Sequence, residues 1–135
     1  MTNNVTAVPA ANSSDALTHF EKQFEFETDC WDTHDALQQE DKGFVLLDVR
    51  NKALYNAGHV PGAVHLPHGK IVASKLKAWD EDMLFVVYCA GPHCNGAAKA
   101  AVRLAKLGRP VKIMAGGITG WIDEGFALTT INYKD

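Results

Sequence analysis

The sequence predicts an α/β sandwich built on parallel strands, and three observations predict it. Residues 44–49 and 83–88 are apolar runs of strand length, nearly free of polar side chains, as in strands covered on both faces. A shorter run, Val111-Lys112-Ile113-Met114, has the same character. Between the last two, residues 97–107 are rich in good helix formers, and a strand, helix, strand order requires a crossover and hence parallel pairing.

The elements follow in order. Residues 1–15 are small and polar with few large apolar groups, too little burial to offset chain entropy, so a frayed tail is expected there and a single domain over 16–135. Ser14 or Asp15 is positioned to cap a short helix through Ala16, Leu17, Phe20 and Lys22. Phe24 and Phe26 then alternate with Glu25 and Glu27, the pattern of a half-buried strand at a sheet edge. A helix is expected over 32–39 with Asp32 as its N-cap, and Gly43 closes the connection before the first apolar run.

The chain has 135 residues, enough for one domain with its own core. Apolar residues make up 47% and charged residues 21%, the balance of a globular protein. With 13 Lys plus Arg against 16 Asp plus Glu, the net charge of -3 gives no electrostatic footprint for nucleic acid. No run approaches the roughly 20 apolar residues of a membrane helix. Residues 1–15 have neither a basic stretch nor an apolar core of the kind that directs export, so the cytoplasm is expected. Three cysteines fit a reducing compartment, where each thiol is judged on its own.

In open α/β sheets, ligands bind beyond the carboxyl ends of the strands, where loops lead into helix N-termini. Cys89 holds that place. It follows the run ending at Tyr88 and precedes the small-residue loop Ala90-Gly91-Pro92-His93-Cys94-Asn95-Gly96, which enters the helix beginning near Ala97. Such a loop can turn its amides toward one centre, and the helix adds the positive end of its dipole, so both favour an anion. A partly protonated His93 would add to this. A thiolate is the nucleophilic form of cysteine, and this setting promotes it. Position alone leaves open a second reading, that Cys89 is a small buried hydrophobe at a strand end.

Four motifs occur in order: Leu46-Leu47-Asp48-Val49-Arg50; then Tyr55-Asn56-Ala57-Gly58-His59-Val60-Pro61-Gly62-Ala63; then a strand ending in Cys89; then Met114-Ala115-Gly116-Gly117-Ile118-Thr119-Gly120-Trp121 with Gly125 behind. In this the chain resembles the rhodanese-like domain family from about residue 24 to residue 128. The resemblance implies a three-layer α/β/α sandwich with a central, mostly parallel five-stranded sheet. It also implies a cysteine that takes sulfane sulfur from a donor such as thiosulfate and passes it to a thiol or cyanide. No metal or organic cofactor is implied. The partners are then a small sulfane-sulfur donor and a thiol acceptor, with no nucleic acid or membrane, and the oligomeric state, monomer or homodimer, stays open.

Within that frame Cys89 is the expected nucleophile, and Ala90, Gly91, His93, Cys94, Asn95 and Gly96 the expected cradle. Asp48 and Arg50 are possible supporting residues, more naturally an ion pair holding loops together. Gly58, Gly62, Gly116 and Gly117 suit turns or close approaches, His59 a hydrogen-bonded scaffold role, and Trp121 the core. Cys30 is expected to be buried.

The sequence departs from the family pattern in its loop. Counted from Cys89, the pair Ala100-Ala101 lies two residues further on than usual, and no Arg or Lys precedes Lys99. Phosphatases and arsenate reductases of this fold clamp a tetrahedral oxyanion with a loop arginine, and none is present here. Cys94 competes with Cys89 for the nucleophile's role, but would carry the preceding strand through Gly91-Pro92, which disfavours it. Cys94 is then a loop-packing residue or a resolving thiol. Two other readings stay open: a non-catalytic binding module, and a thiol-redox relay using Cys89 and Cys94.

Overall fold

The structure, a computed structural model, describes residues 3–131; residues 1–2 of the expected tail and 132–135 of the expected domain lie outside the described residues. The first element is a helix, α1 (Ser13–Phe26), that starts earlier and runs further than the sequence pattern suggests. Its cap is Asn12, not Ser14 or Asp15: the Asn12 side chain accepts the Asp15 amide at 2.9 Å and donates to the Asp15 carboxylate at 2.8 Å. Phe24 and Phe26 therefore end a helix instead of forming a strand. Leu17, Phe20 and Phe24 recur at helical spacing on one face, and that period outlasts the short alternation of Phe and Glu. The edge strand shrinks to β1 (Glu27–Thr28).

Next, α2 (Cys30–Leu37) begins two residues before its expected start, because Asp29, leaving β1 with extended backbone, reaches the capping position first and accepts the Asp32 amide at 2.8 Å. Asp32 instead lies in the first turn, where its charge complements the helix dipole. The remaining elements are β2 (Phe44–Asp48), α3 (Lys52–Ala57), β3 (Val64–His65), two short 3-10 turns (His68–Lys70 and Ala73–Leu76), β4 (Leu84–Tyr88), α4 (Gly96–Lys106), β5 (Val111–Met114) and α5 (Gly117–Asp123).

The five strands form one sheet in the order β1-β5-β4-β2-β3, and every ladder is parallel. β2 and β4 pair along their whole length, from Phe44 opposite Leu84 to Asp48 opposite Tyr88. Alternation along these central strands divides the core in two. Leu47, Phe85, Val87 and Cys89 face α4 and the 3-10 turns, while Leu46, Val86 and Tyr88 face α2 and α5 with Trp121. Three layers result, as the sequence implied. Each large apolar side chain buried in this way contributes about 1.5–3 kcal/mol, so both faces of the sheet are fastened to their helices.

Candidate active site

At the carboxyl ends of β2 and β4 stand two polar features, and they serve different ends. The first is a buried network. Asp48 is fully buried, and Arg50 grips it through Nε and Nη2, the latter at 2.7 Å. The Tyr88 hydroxyl donates to the same carboxylate at 2.7 Å and accepts the Val60 amide at 3.1 Å, while Arg50 Nη2 donates to the Gly58 carbonyl at 2.6 Å. Burial works against the Arg50 charge, but the bonds and charge of Asp48 outweigh it and hold the guanidinium above its usual pKa. Burial, with the Asp48 charge, raises the Tyr88 phenol well above its ordinary range.

This network fixes the turn 58–60 onto β4, which is the loop-holding use expected for Asp48 and Arg50. Neither residue lines the cleft beside Cys89. His59 belongs to the same scaffold: its main chain pairs with Thr129, and its Nδ1 lies 2.8 Å from the Tyr55 carbonyl. Trp121 is buried in the core, as expected, and donates to the Ala127 carbonyl at 2.9 Å.

The second feature is the loop after β4. Cys89 is 6% exposed at the strand's end, and its sulfur is joined in a disulfide to Cys94, an exposed residue of the same loop, across a Cα separation of 6.4 Å. The loop folds back because the Cys94 amide donates to the Gly91 carbonyl at 3.1 Å, so that amide is engaged in the turn and not directed at sulfur. The Gly96 amide, at the start of α4, approaches the Cys94 sulfur at 3.4 Å. A Cβ on Gly96 would sit 2.7 Å from the Cys89 sulfur, so only glycine lets that sulfur rest against the first turn of the helix.

The base of the loop is anchored from α5. Ile118 and Thr119 donate their amides to the Cys89 and Ala90 carbonyls at 3.0 and 2.9 Å, and the Thr119 hydroxyl reaches the Ala90 carbonyl at 2.8 Å. Gly117 has a positive φ of 58°, and a Cβ there would lie 2.5 Å from the Cys89 carbonyl oxygen. The close approach inferred from the glycine motif is thus a contact at the strand end that carries Cys89.

A cleft of about 270 Å³ opens beside the two sulfurs, bordered by Cys89, Gly91, Cys94, Ala97, Gly116 and also Glu27. It brings Cys89, Gly91 and Cys94 together; the other expected cradle residues, Ala90, His93, Asn95 and Gly96, do not border it. Among the described residues no Lys or Arg borders it either, and Lys99 lies with Arg103 and His68 in a separate groove along α4. Glu27 was missed from the sequence. Its place depends on β1 pairing with β5, Glu27 opposite Ile113, and no local pattern announces a contact made across more than 80 residues. The third cysteine, Cys30, is buried, and burial first, then Asp29 and Glu124, pushes its thiol up to about 11.

Comparison with known proteins agrees with this geometry. The model of the rhodanese-like domain matches residues 32–124. Over 97 residues the chain is 38% identical to an HTH-type transcriptional regulator of Mycobacterium tuberculosis; the match takes in 66% of this chain but 42% of the regulator's length. Over 82 residues it is 34% identical to the thiosulfate sulfurtransferase GlpE of Pseudomonas fluorescens, covering 60% of this chain and 72% of that one. Among solved structures, the BH2092 protein of Bacillus halodurans superposes with a TM-score of 0.85 at 34% identity, covering 88% of this chain and 87% of its own. Among the described residues no helix is long and apolar enough to cross a membrane.

Proposed function

The chain belongs to the rhodanese-like domain family, and from that premise we propose that it is a sulfurtransferase that carries sulfane sulfur as a persulfide on Cys89. The observation that carries this reading is the seat of the Cys89 sulfur, at the carboxyl end of β4 and against the first turn of α4. The positive end of the helix dipole favours the thiolate over the thiol there, and an anionic sulfur after loading. Similarity to a thiosulfate sulfurtransferase supports the same reaction class.

The working form has Cys89 reduced. Its thiolate attacks the outer sulfur of a sulfane donor, the donor's S–S bond breaks, and the leaving group departs with the bonding pair; from thiosulfate that group is sulfite. Main-chain amides of the loop, that of Gly91 bordering the cleft among them, would stabilise the negative sulfur, while Pro92 has no N–H to offer. An acceptor thiolate or cyanide then attacks the outer sulfur and restores Cys89. Two half-reactions that never meet predict ping-pong kinetics. We place the reaction in the cytoplasm, where thiols that keep Cys89 reduced are abundant.

Steady-state assays of the reduced protein with thiosulfate and a thiol or cyanide acceptor test this. Double-reciprocal plots should give parallel lines, and Cys89→Ser should lower turnover by at least about a thousandfold. A Cys89→Ser protein that still turns over would refute the assignment, and wild-type protein inert with every donor would leave a binding module.

A further inference from the structure

Rhodanese chemistry on Cys89 requires only one thiol, yet the loop places a second sulfur on the first. Cys94 lies in a turn closed by its own amide, and the Cα atoms of Cys89 and Cys94 are 6.4 Å apart, within the range that permits a disulfide. Gly96 makes room for both sulfurs: a Cβ there would meet the Cys89 sulfur at 2.7 Å and the Cys94 sulfur at 3.4 Å. Its amide approaches the Cys94 sulfur, which favours a thiolate on that residue too. The two sulfurs differ in access, for Cys94 is exposed and Cys89 is 6% exposed.

Resting on the sulfurtransferase reading above, we propose that Cys94 is a resolving thiol which discharges the Cys89 persulfide inside the protein, releasing hydrosulfide and leaving the Cys89–Cys94 disulfide. The Cys94 thiolate attacks the Cys89 Sγ, the bond from that Sγ to the outer sulfur breaks, and the outer sulfur leaves with the bonding pair. The proton lost from Cys94 is recovered on the departing sulfur. The sulfane sulfur is thereby reduced by two electrons, and the two cysteine sulfurs are oxidised by the same two.

Closing the cycle needs a reductant, and its class follows from access. A dithiol attacks the exposed Cys94 sulfur, Cys89 departs as a thiolate already seated at the helix N-terminus, and the second thiol of the reductant frees Cys94 as the reductant becomes a disulfide. The net reaction for thiosulfate is one sulfite, one hydrosulfide and one oxidised dithiol per turn.

The test uses full-length protein reduced with dithiothreitol, freed of it under anaerobic conditions, and given an equivalent of thiosulfate with no added thiol. Wild type should release about one sulfide per chain and end about 2 Da lighter than the reduced protein, whereas Cys94→Ser and Cys94→Ala should gain about 32 Da on Cys89 and release none. Wild type that keeps the added sulfur and releases no sulfide would overturn the proposal while leaving the sulfurtransferase reading in place. If neither Cys94 variant gains sulfur, the sulfurtransferase reading itself fails and the proposal falls with it. A matched sample without thiosulfate that stays reduced assigns the disulfide to the sulfur transfer and not to stray oxidant.

Discussion

Removing the Asp48 carboxylate would strand a buried guanidinium left with the Gly58 carbonyl and the face of the Tyr88 ring. Breaking such a pair from one side is costly, so Asp48→Asn and Arg50→Met should each lower stability by about 3–5 kcal/mol in urea unfolding. A loss below about 1 kcal/mol would show that the network is dispensable. At Cys30 the consequence is pH dependence. Its folded-state pKa is raised to about 11 from an ordinary 9.0, so the native state holds the proton more tightly than the unfolded chain. The stability this contributes is fully present below pH 9.0 and declines as pH rises toward about 11. Cys30→Ala should flatten the alkaline limb of a plot of stability against pH, and an unchanged limb would contradict the assignment.

Single residues were also where the sequence was most and least legible. Cys89 could be placed because it ends an apolar run and opens a small-residue loop, both local signals. Asp48 and Arg50 could be assigned to scaffolding because a charged pair after a buried strand needs a partner close by. The joining of Cys89 to Cys94 could not be decided, since a spacing of five residues permits a bridge without requiring one. Glu27 left no trace, because its neighbours at the cleft come from β5 and α5.

Among the elements, those with strong internal signals read well. β2, β4, β5 and α4 fall within a residue of the expected bounds, since continuous apolar runs and helix formers mark them without outside help. The short pieces did not. β1 and β3 have two residues each, too few for any periodicity, and α5 starts on Gly117, which the sequence marks as a turn. The end of α1 is ambiguous in sequence because an exposed helix and a half-buried strand both place apolar residues at intervals, and Phe24 and Phe26 satisfy either. Since α1 buries no residue, a chain beginning at Gln23 should keep its fold and lose less than about 2 kcal/mol. Cooperative thermal unfolding followed by circular dichroism checks this, and loss of the cooperative transition would show that α1 is part of the core.

For the molecule as a whole, the parallel order β1-β5-β4-β2-β3 puts β4 at the centre with its carboxyl end flanked by those of β2 and β5. A loop leaving that end is held from α5 on one side and from α4 on the other, which is why one strand end can be both buried and chemically accessible. The architecture is legible as a whole because its four motifs are ordered along the chain, whereas the absence of Lys and Arg from the cleft, among the described residues, emerges only once Lys99 and Arg103 are seen to line another groove along α4.

The central claim is that Cys89 is the sulfur carrier. Cys94→Ser protein, reduced and treated with thiosulfate labelled in its outer sulfur, then digested and mapped by mass spectrometry, tests it most directly. With sulfur-34 as the label, the account predicts an added mass of about 34 Da on the peptide containing Cys89 and nowhere else. Label on Cys30, or on no cysteine while sulfite is still formed, would contradict it.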